Sequence, residues 1–330
     1  MISVIVCTYN RASSLGKTLE SLRQMTVPPD LKWELILVDN NSTDSTREVV
    51  GEFARTSEFR VRYVFEPRQG LCHARNTGVA NANGEIIAFT DDDVQVAPEW
   101  LRELRSAFKE FDFIGVGGKS IPAWDGLARP AWLVTNGPYC LSSGPILDFD
   151  LGDEAREIPM APWGLNMAFR KSAFDMYGTF RTDLDLSGSG GLLGGDTEFG
   201  NRLMRAGEKL LYVPRAVVFH PVERQRITRN YFLQYYFALG RTAIRELGWP
   251  ADAVLYFGVP RYMFRMFVEK CRTWFFTVAR EKRFYCKTQM YHLAGQMTEA
   301  RVLEKEKTKS RRDSAAHCVS HGSAKANVRK

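Results

Sequence analysis

The 330-residue chain is long enough to bury a full core, and its 45% hydrophobic and 25% charged content is that of an ordinary globular protein. The formal charge of +7 is unevenly spread: residues 222–330 carry 22 Lys+Arg against 9 Asp+Glu, leaving 23 against 29 in residues 1–221. The basic back points to an anionic partner, membrane lipid or nucleic acid, and the absence of any recognised nucleic-acid module favours lipid.

The N-terminus MISVIVCTYN enters a strand-like run at once, with no basic region and cleavable apolar segment, so secretion by that route is not expected. Residues 2–7 and 33–38 are short, nearly continuous apolar runs, as in strands covered on both faces. Between them Leu15, Leu19 and Leu22 recur at helical spacing behind Ser13 and Ser14 as candidate caps. A second helix is expected from Ser42 and a third strand over Val61–Phe65. This βαβαβ order predicts a parallel sheet flanked by helices.

Ligands of such sheets gather beyond the carboxyl ends of the strands. Three polar clusters fall there: Thr8-Tyr9-Asn10, Asp39-Asn40-Asn41 and Asp91-Asp92-Asp93. Each alone suits a turn, whereas three together point to a nucleotide site. The three adjacent carboxylates after the apolar stretch 85–89 also require a compensating cation or water.

The uncharged stretch Pro130–Leu147 is broken by prolines and glycines and reads as a loop, so no transmembrane helix is predicted. Order returns at 164–170, followed by a helix over Lys171–Tyr177, the glycine-rich run 187–191, a helix over Asp196–Ala206 and a strand over Lys209–Val213. The cysteines Cys7, Cys72, Cys140, Cys271, Cys286 and Cys318 form no C-x-x-C pair and read as free thiols of a reducing compartment.

Six segments in order, VIVCTYNR, LVDNNSTD, ARNTGVANANGEIIAFTDDDV, GLNMAFRK, GGDTEFGNRLMRAG and VPRAVVFHPV, make residues 2–222 resemble the family 2 glycosyltransferases. The resemblance implies the GT-A fold, a Rossmann-like mostly parallel sheet flanked by helices, and inverting transfer of a sugar from a nucleotide-sugar. It implies that Thr8, Tyr9, Asn10, Arg11 and Asp39 line the nucleotide, Asp39 accepting from the base, with Arg75 and Asn76 closing the other side of the pocket. A surface salt bridge is the plainer reading of Arg75.

By the same resemblance Asp93, with Asp91, corresponds to the carboxylate motif that holds Mn2+ or Mg2+ against the diphosphate. Asp91 also suits the ribose, and Asp92, counted with the nucleotide contacts, is expected on the opposite side of an extended segment. His220 matches a third ligand in some relatives, although a lone histidine is commonly structural. Asp196 is the implied general base, or else a helix cap. Gly195 stands where the family usually has Glu. Trp163, Asn166, Gly195 and Glu198 are the candidate sugar or acceptor contacts, Trp163 by stacking or as a core residue, and the run Gly188–Gly195 is a candidate lid.

Beyond residue 222, Phe264, Phe267, Val268, Cys271, Trp274, Phe275 and Val278 share a helical stripe beside Arg261, Arg265 and Arg272. Such a face suits the headgroup region of an anionic leaflet, or packing on the catalytic domain or a second subunit. The expected organisation is a catalytic domain over 1–222, a basic aromatic helical extension over 223–304, and a disordered basic tail over 305–330. The combined expectation is a cytoplasmic enzyme on the inner face of the membrane, taking a UDP-sugar to a glycan or lipid-linked acceptor of the cell envelope. The alternatives are a sugar-phosphate nucleotidyltransferase, for which CTYNRASS lacks the glycine-rich phosphate turn, and an inactive lipid-binding scaffold.

Overall fold

Strand β1 (Ile2–Thr8) and strand β2 (Trp33–Asp39) are almost wholly buried, as their continuous apolar runs require. A computed structural model describes residues 1–184 and 192–326, with the side chains of 310–326 left undescribed, so the candidate lid lies outside the described residues as far as Gly191. The chain divides into two units, Met1–Tyr231 and Phe232–Lys330.

In the first unit β1, α1 (Ala12–Arg23), β2, α2 (Thr46–Thr56), β3 (Arg60–Phe65), α3 (Leu71–Asn81) and β4 (Ile86–Asp91) alternate. The order β3-β2-β1-β4 is parallel throughout, in a register that pairs Thr8 with Asp39 and Cys7 with Asp91. Leu15, Leu19 and Leu22 of α1 are buried. Helix α1 starts at Ala12, ahead of the serines expected to cap it, because the Ala12 N–H is satisfied by Asp44 Oδ2 at 3.1 Å. Helix α2 starts at Thr46 rather than Ser42, since Ser42 donates its N–H to Asp39 Oδ1 at 2.9 Å and Asp44 Oδ1 receives the Thr46 N–H at 3.1 Å.

The chain continues through β5 (Gln95–Val96), α4 (Trp100–Glu110), β6 (Gly115–Ala123), β7 (Arg156–Glu157), β8 (Met167–Arg170), α5 (Lys171–Tyr177), α6 (Gly195–Arg205) and β9 (Leu210–Pro221). Strand β8 inserts antiparallel between β4 and β6, while β6 runs parallel to β9. The mixed far half was not expected from the apolar pattern, because β6 opens on glycines that leave no periodic signal. Those glycines are required: a Cβ on Gly115 would lie 2.4 Å from the Phe169 ring. Phe174 and Phe199 stack at 4.6 Å and, with Phe89, Phe169 and Phe180, lock α5 and α6 to the sheet.

The second unit comprises α7 (Arg229–Leu247) from Phe232 onward, the hairpin β10 (Leu255–Tyr256) and β11 (Val259–Pro260), α8 (Arg261–Phe276) and α9 (Arg280–Ala326). Ile244, Val259, Met263, Leu293 and Ala300 form its core. Helices α7 and α9 cross where Gly240 and Gly295 meet the backbone carbonyls of His292 and Phe237. Buried Glu299 lies between Arg241, at 2.7 Å, and Arg245.

Two expectations for this region change. The expected aromatic stripe is split: Phe267 packs against the core, while Val268 and Phe275 of α8, and Val278 beyond its end, are exposed. The tail expected to be disordered continues α9 through Ala326. Residues 301–326 contain no proline and are rich in Ala, Lys, Arg and Glu, strong helix formers that need no apolar face to favour the helix. Among the described residues no helix is long and apolar enough to cross a membrane.

Candidate active site

The parallel register brings the ends of β1, β2 and β4 to one edge, with Thr8 beside Asp39 and Cys7 beside Asp91. Asp39 is buried and already engaged: Oδ1 accepts from the Ser42 N–H, and Oδ2 from the Tyr63 hydroxyl at 2.7 Å. Burial and that bond push the Tyr63 phenol up to about 12, so it stays a donor. Asn10 takes a left-handed backbone (φ 52), which asparagine tolerates, and its Oδ1 accepts from the Thr43 N–H at 2.7 Å. The asparagine therefore ties the loop after β1 to the loop after β2, while Tyr9 stands exposed on the rim and Thr8 is buried.

Asn40, unassigned by the sequence, braces the entry to α3. Its amide donates to the carbonyls of Glu66 and Arg68 and accepts the Gly70 N–H, at 3.2, 2.7 and 2.7 Å.

The three carboxylates separate. Asp91 ends β4 and lies 3.5 Å from Arg75. Burial pushes it up to about 6, against the pull of the guanidinium. Asp93 pairs with Arg11, and Asp92 lies 3.6 Å from the same arginine. Asp92 is thus not turned away: the strand ends at Asp91 and the chain turns, so the two-residue alternation stops applying. Its burial pushes it up to about 7.

His220, at the end of β9, places Nε2 3.7 Å from Asp93 Oδ1, with Arg226 Nη1 3.5 Å from the same nitrogen. Burial pushes the imidazole down, more than Asp93 raises it, and Nδ1 is buried without a partner. Among the described residues no three His, Cys, Asp or Glu side chains form a cage for an ion. The nitrogen beside Asp93 is Nε2, not the unpartnered Nδ1, so the pair offers one carboxylate and one imidazole nitrogen 3.7 Å apart, a set that suits a divalent cation whose remaining ligands come from phosphate oxygens.

Across the cleft Asp196 sits in the first turn of α6, whose N-cap position is Gly194, so it does not cap the helix. Its Oδ2 accepts the Gly164 N–H at 2.6 Å and lies 4.0 Å from Arg75. Arg75 is only 3% exposed, which removes the surface salt-bridge reading. Burial opposes its charge, but Asp196 and Asp91 outweigh that and raise its pKa. One buried cation therefore joins the carboxylate ending β4 to the carboxylate opening α6. Gly164 is required there, since a Cβ would lie 2.1 Å from Arg75 and 2.5 Å from Asp196.

Several candidate contacts are occupied by structural bonds. Asn76 exchanges two 2.9 Å hydrogen bonds with the Phe180 backbone and so clamps that segment. Asn166 accepts from Trp100 Nε1 at 2.8 Å and donates to the Lys119 and Ala216 carbonyls, mending the register break between β6 and β9. Glu198 is buried in an ion pair with Arg202 at 2.8 Å. The Trp163 ring is buried near Phe149 instead of presenting a face for stacking. A Cβ on Gly195 would lie 2.3 Å from Cys72 Sγ, so the thiol fills the space a side chain there would need.

Tyr63, Gly164, Cys72 and Arg226 were not expected at the site. Their positions come from pairings across distant segments, for which no local spacing exists.

The family profile described as Glycosyl transferase family 2 matches residues 3–177. The succinoglycan biosynthesis protein ExoM of Rhizobium meliloti (strain 1021) is 30% identical over 246 residues, 74% of this chain and 75% of that protein. The glucosyl-dolichyl phosphate glucuronosyltransferase of Haloferax volcanii is 25% identical over 229 residues, 68% and 70% of the two chains. Among solved structures, the mannosyltransferase PcManGT from Pyrobaculum calidifontis in complex with GDP-Man and Mn2+ superposes with a TM-score of 0.54 at 20% identity, over 99% of this chain and 81% of that one. By its sequence and its sheet, this chain belongs to glycosyl transferase family 2 and has the GT-A fold.

Proposed function

We propose that the protein is an inverting, metal-dependent transferase that moves a hexosyl group from a nucleotide diphosphate sugar, a UDP-sugar by our reading, to a hydroxyl acceptor in cell-envelope polysaccharide or glycolipid synthesis. The observation that carries the reading is the Asp91–Arg75–Asp196 bridge, which supports a general base and a diphosphate site on opposite sides of one cleft. Asp196 Oδ2 is held by Gly164 and Arg75, leaving Oδ1 as the proton acceptor. The acceptor oxygen attacks the anomeric carbon, its proton passes to Asp196, and the bond to the diphosphate breaks with the electron pair leaving on the phosphate oxygen.

Asp93 and His220 would hold Mn2+ or Mg2+, which when bound supplies charge neutralisation for the leaving diphosphate. Asp39 retains acceptor capacity for a base N–H, and the Asn10–Thr43 bond fixes the loop beside it. Support for a lipid-linked or polysaccharide acceptor comes from the names of relatives, one acting on glucosyl-dolichyl phosphate and one in succinoglycan biosynthesis.

The same reading places the protein on the inner face of the cell membrane, its catalytic domain within residues 1–222 and its membrane contacts in the extension. Val268, Phe275, Phe276 and Val278 are 60–90% exposed, with Arg265 and Arg272 beside them, as an interfacial helix requires. The test is a panel of nucleotide-sugars incubated with Mn2+ or with a chelator. Metal-dependent hydrolysis of one donor is expected, and no hydrolysis of any donor under either condition would count against an active enzyme.

A further inference from the structure

The second unit holds a concavity of about 470 Å3, far in sequence from the carboxylates described above, lined by Phe257, Arg301, Glu304, Lys305, Thr308 and Lys309. One wall is α9, where Arg301, Lys305 and Lys309 recur every fourth residue. Successive side chains therefore lie on one face, about 6 Å apart along the axis. None of the three forms an ion pair among the described residues, in contrast to Arg241 and Arg245, which share Glu299. Glu304 is the one carboxylate among the lining residues, so the mouth carries an excess of positive charge.

The other wall is the tip of the β10–β11 hairpin. Its two-residue loop, Phe257-Gly258, has φ of 53° and 78°. Loops of this kind favour Asn-Gly, because both residues must adopt a positive φ. A bulky aromatic at the first position is strained, and this one is 88% exposed, so burial does not offset the strain. Val254 and Tyr256 beside it are 57% and 47% exposed. A Cβ added at Gly258 would come into ordinary contact with Arg301 and Glu304, so the tip lies close against α9 and its cations.

We propose that this concavity binds the phosphate of an anionic membrane lipid, with Arg301 and Lys305 on the phosphodiester and Phe257 entering the headgroup region beside it. Cations alone would suit any phosphate polymer. An exposed aliphatic and aromatic tip fixed next to them suits a bilayer, whose surface offers phosphate and apolar depth together. The inference rests on the membrane-surface reading above and names the lipid group recognised.

The experiment is co-sedimentation of the full chain with vesicles of phosphatidylcholine, with and without phosphatidylglycerol. Arg301→Gln/Lys305→Gln should weaken partition onto phosphatidylglycerol vesicles by roughly ten- to thirtyfold, taking about 1 kcal/mol per basic residue at an anionic surface. Phe257→Ser should weaken it severalfold in a way that high salt does not mimic. If the double variant sediments like the parent while Phe275→Ser/Phe276→Ser in α8 does not, the concavity is excluded and the membrane reading stands. If the parent chain ignores phosphatidylglycerol, both are lost. Loss of RNA binding with unchanged vesicle binding in the double variant would assign the cations to nucleic acid and overturn the proposal.

Discussion

The two units treat their polar groups in opposite ways. In the first, many polar side chains near the site are committed to a partner: Asp39 to Ser42 and Tyr63, Asn76 to Phe180, Asn166 to three groups, Glu198 to Arg202, whereas the hydroxyl of Thr90 and the Nδ1 of His220 are buried without one among the described residues. In the second, Arg301, Lys305 and Lys309 form no ion pair among the described residues, and Phe257, Phe275 and Phe276 are largely exposed. Residue type alone therefore overstates function in the first unit, where carboxylates and amides mostly build the cleft. In the second the surplus of cations and apolar side chains lies on the surface.

The contrast sharpens the roles within the cleft. Asp196→Asn keeps the Oδ atom that accepts from Gly164 but removes the proton acceptor, so transfer should fall by about 10²–10⁴-fold with UDP affinity unchanged. Single-turnover kinetics beside calorimetry checks this, and an active Asn variant would move the base elsewhere. Gly164→Ala forces a Cβ into Arg75 and Asp196. Displacing the base by about 1 Å should cost on the order of 10²-fold in kcat, beside the about 1–3 kcal/mol of stability that crowding a packed site removes. A variant with normal kcat would show that the bridge does not position Asp196.

A residue committed to structure should instead act on stability. Glu66 is buried, paired with Arg68 at 2.8 Å and hydrogen-bonded by Thr77, and these partners pull its carboxyl down to about 2 against burial. A lowered carboxyl stabilises the fold above its unfolded pKa, near 4.5, and loses that contribution as pH falls through about 2. Glu66→Gln should cost about 1–3 kcal/mol at neutral pH and flatten the acid limb of the stability curve. Denaturant titrations across that pH range decide it, and an unchanged acid limb would remove Glu66 from the account.

The near half of the sheet was legible because β1 and β2 are uninterrupted apolar runs and Leu15, Leu19 and Leu22 keep helical spacing. The far half was not, because the glycines opening β6 and the short β8 carry no period of their own. At the site, the positions of Asp39 and Asp91 at strand ends followed from the βαβ pattern. What surrounds them did not, since Asn76 meets Phe180 across 104 residues and Asp196 meets Gly164 across 32. Strand alternation does not locate Asp92, because β4 ends at Asp91 and the backbone turns there.

The central claim is that Asp93 and His220 complete, with a nucleotide diphosphate, a divalent-cation site facing Asp196. Its most direct test is calorimetric titration of UDP with and without Mn2+ into the parent chain and into Asp93→Ala. The account predicts Mn2+-dependent binding in the parent and at least a tenfold loss, about 1.4 kcal/mol, in the variant. Equal affinity in the two proteins, or binding indifferent to Mn2+, would contradict it.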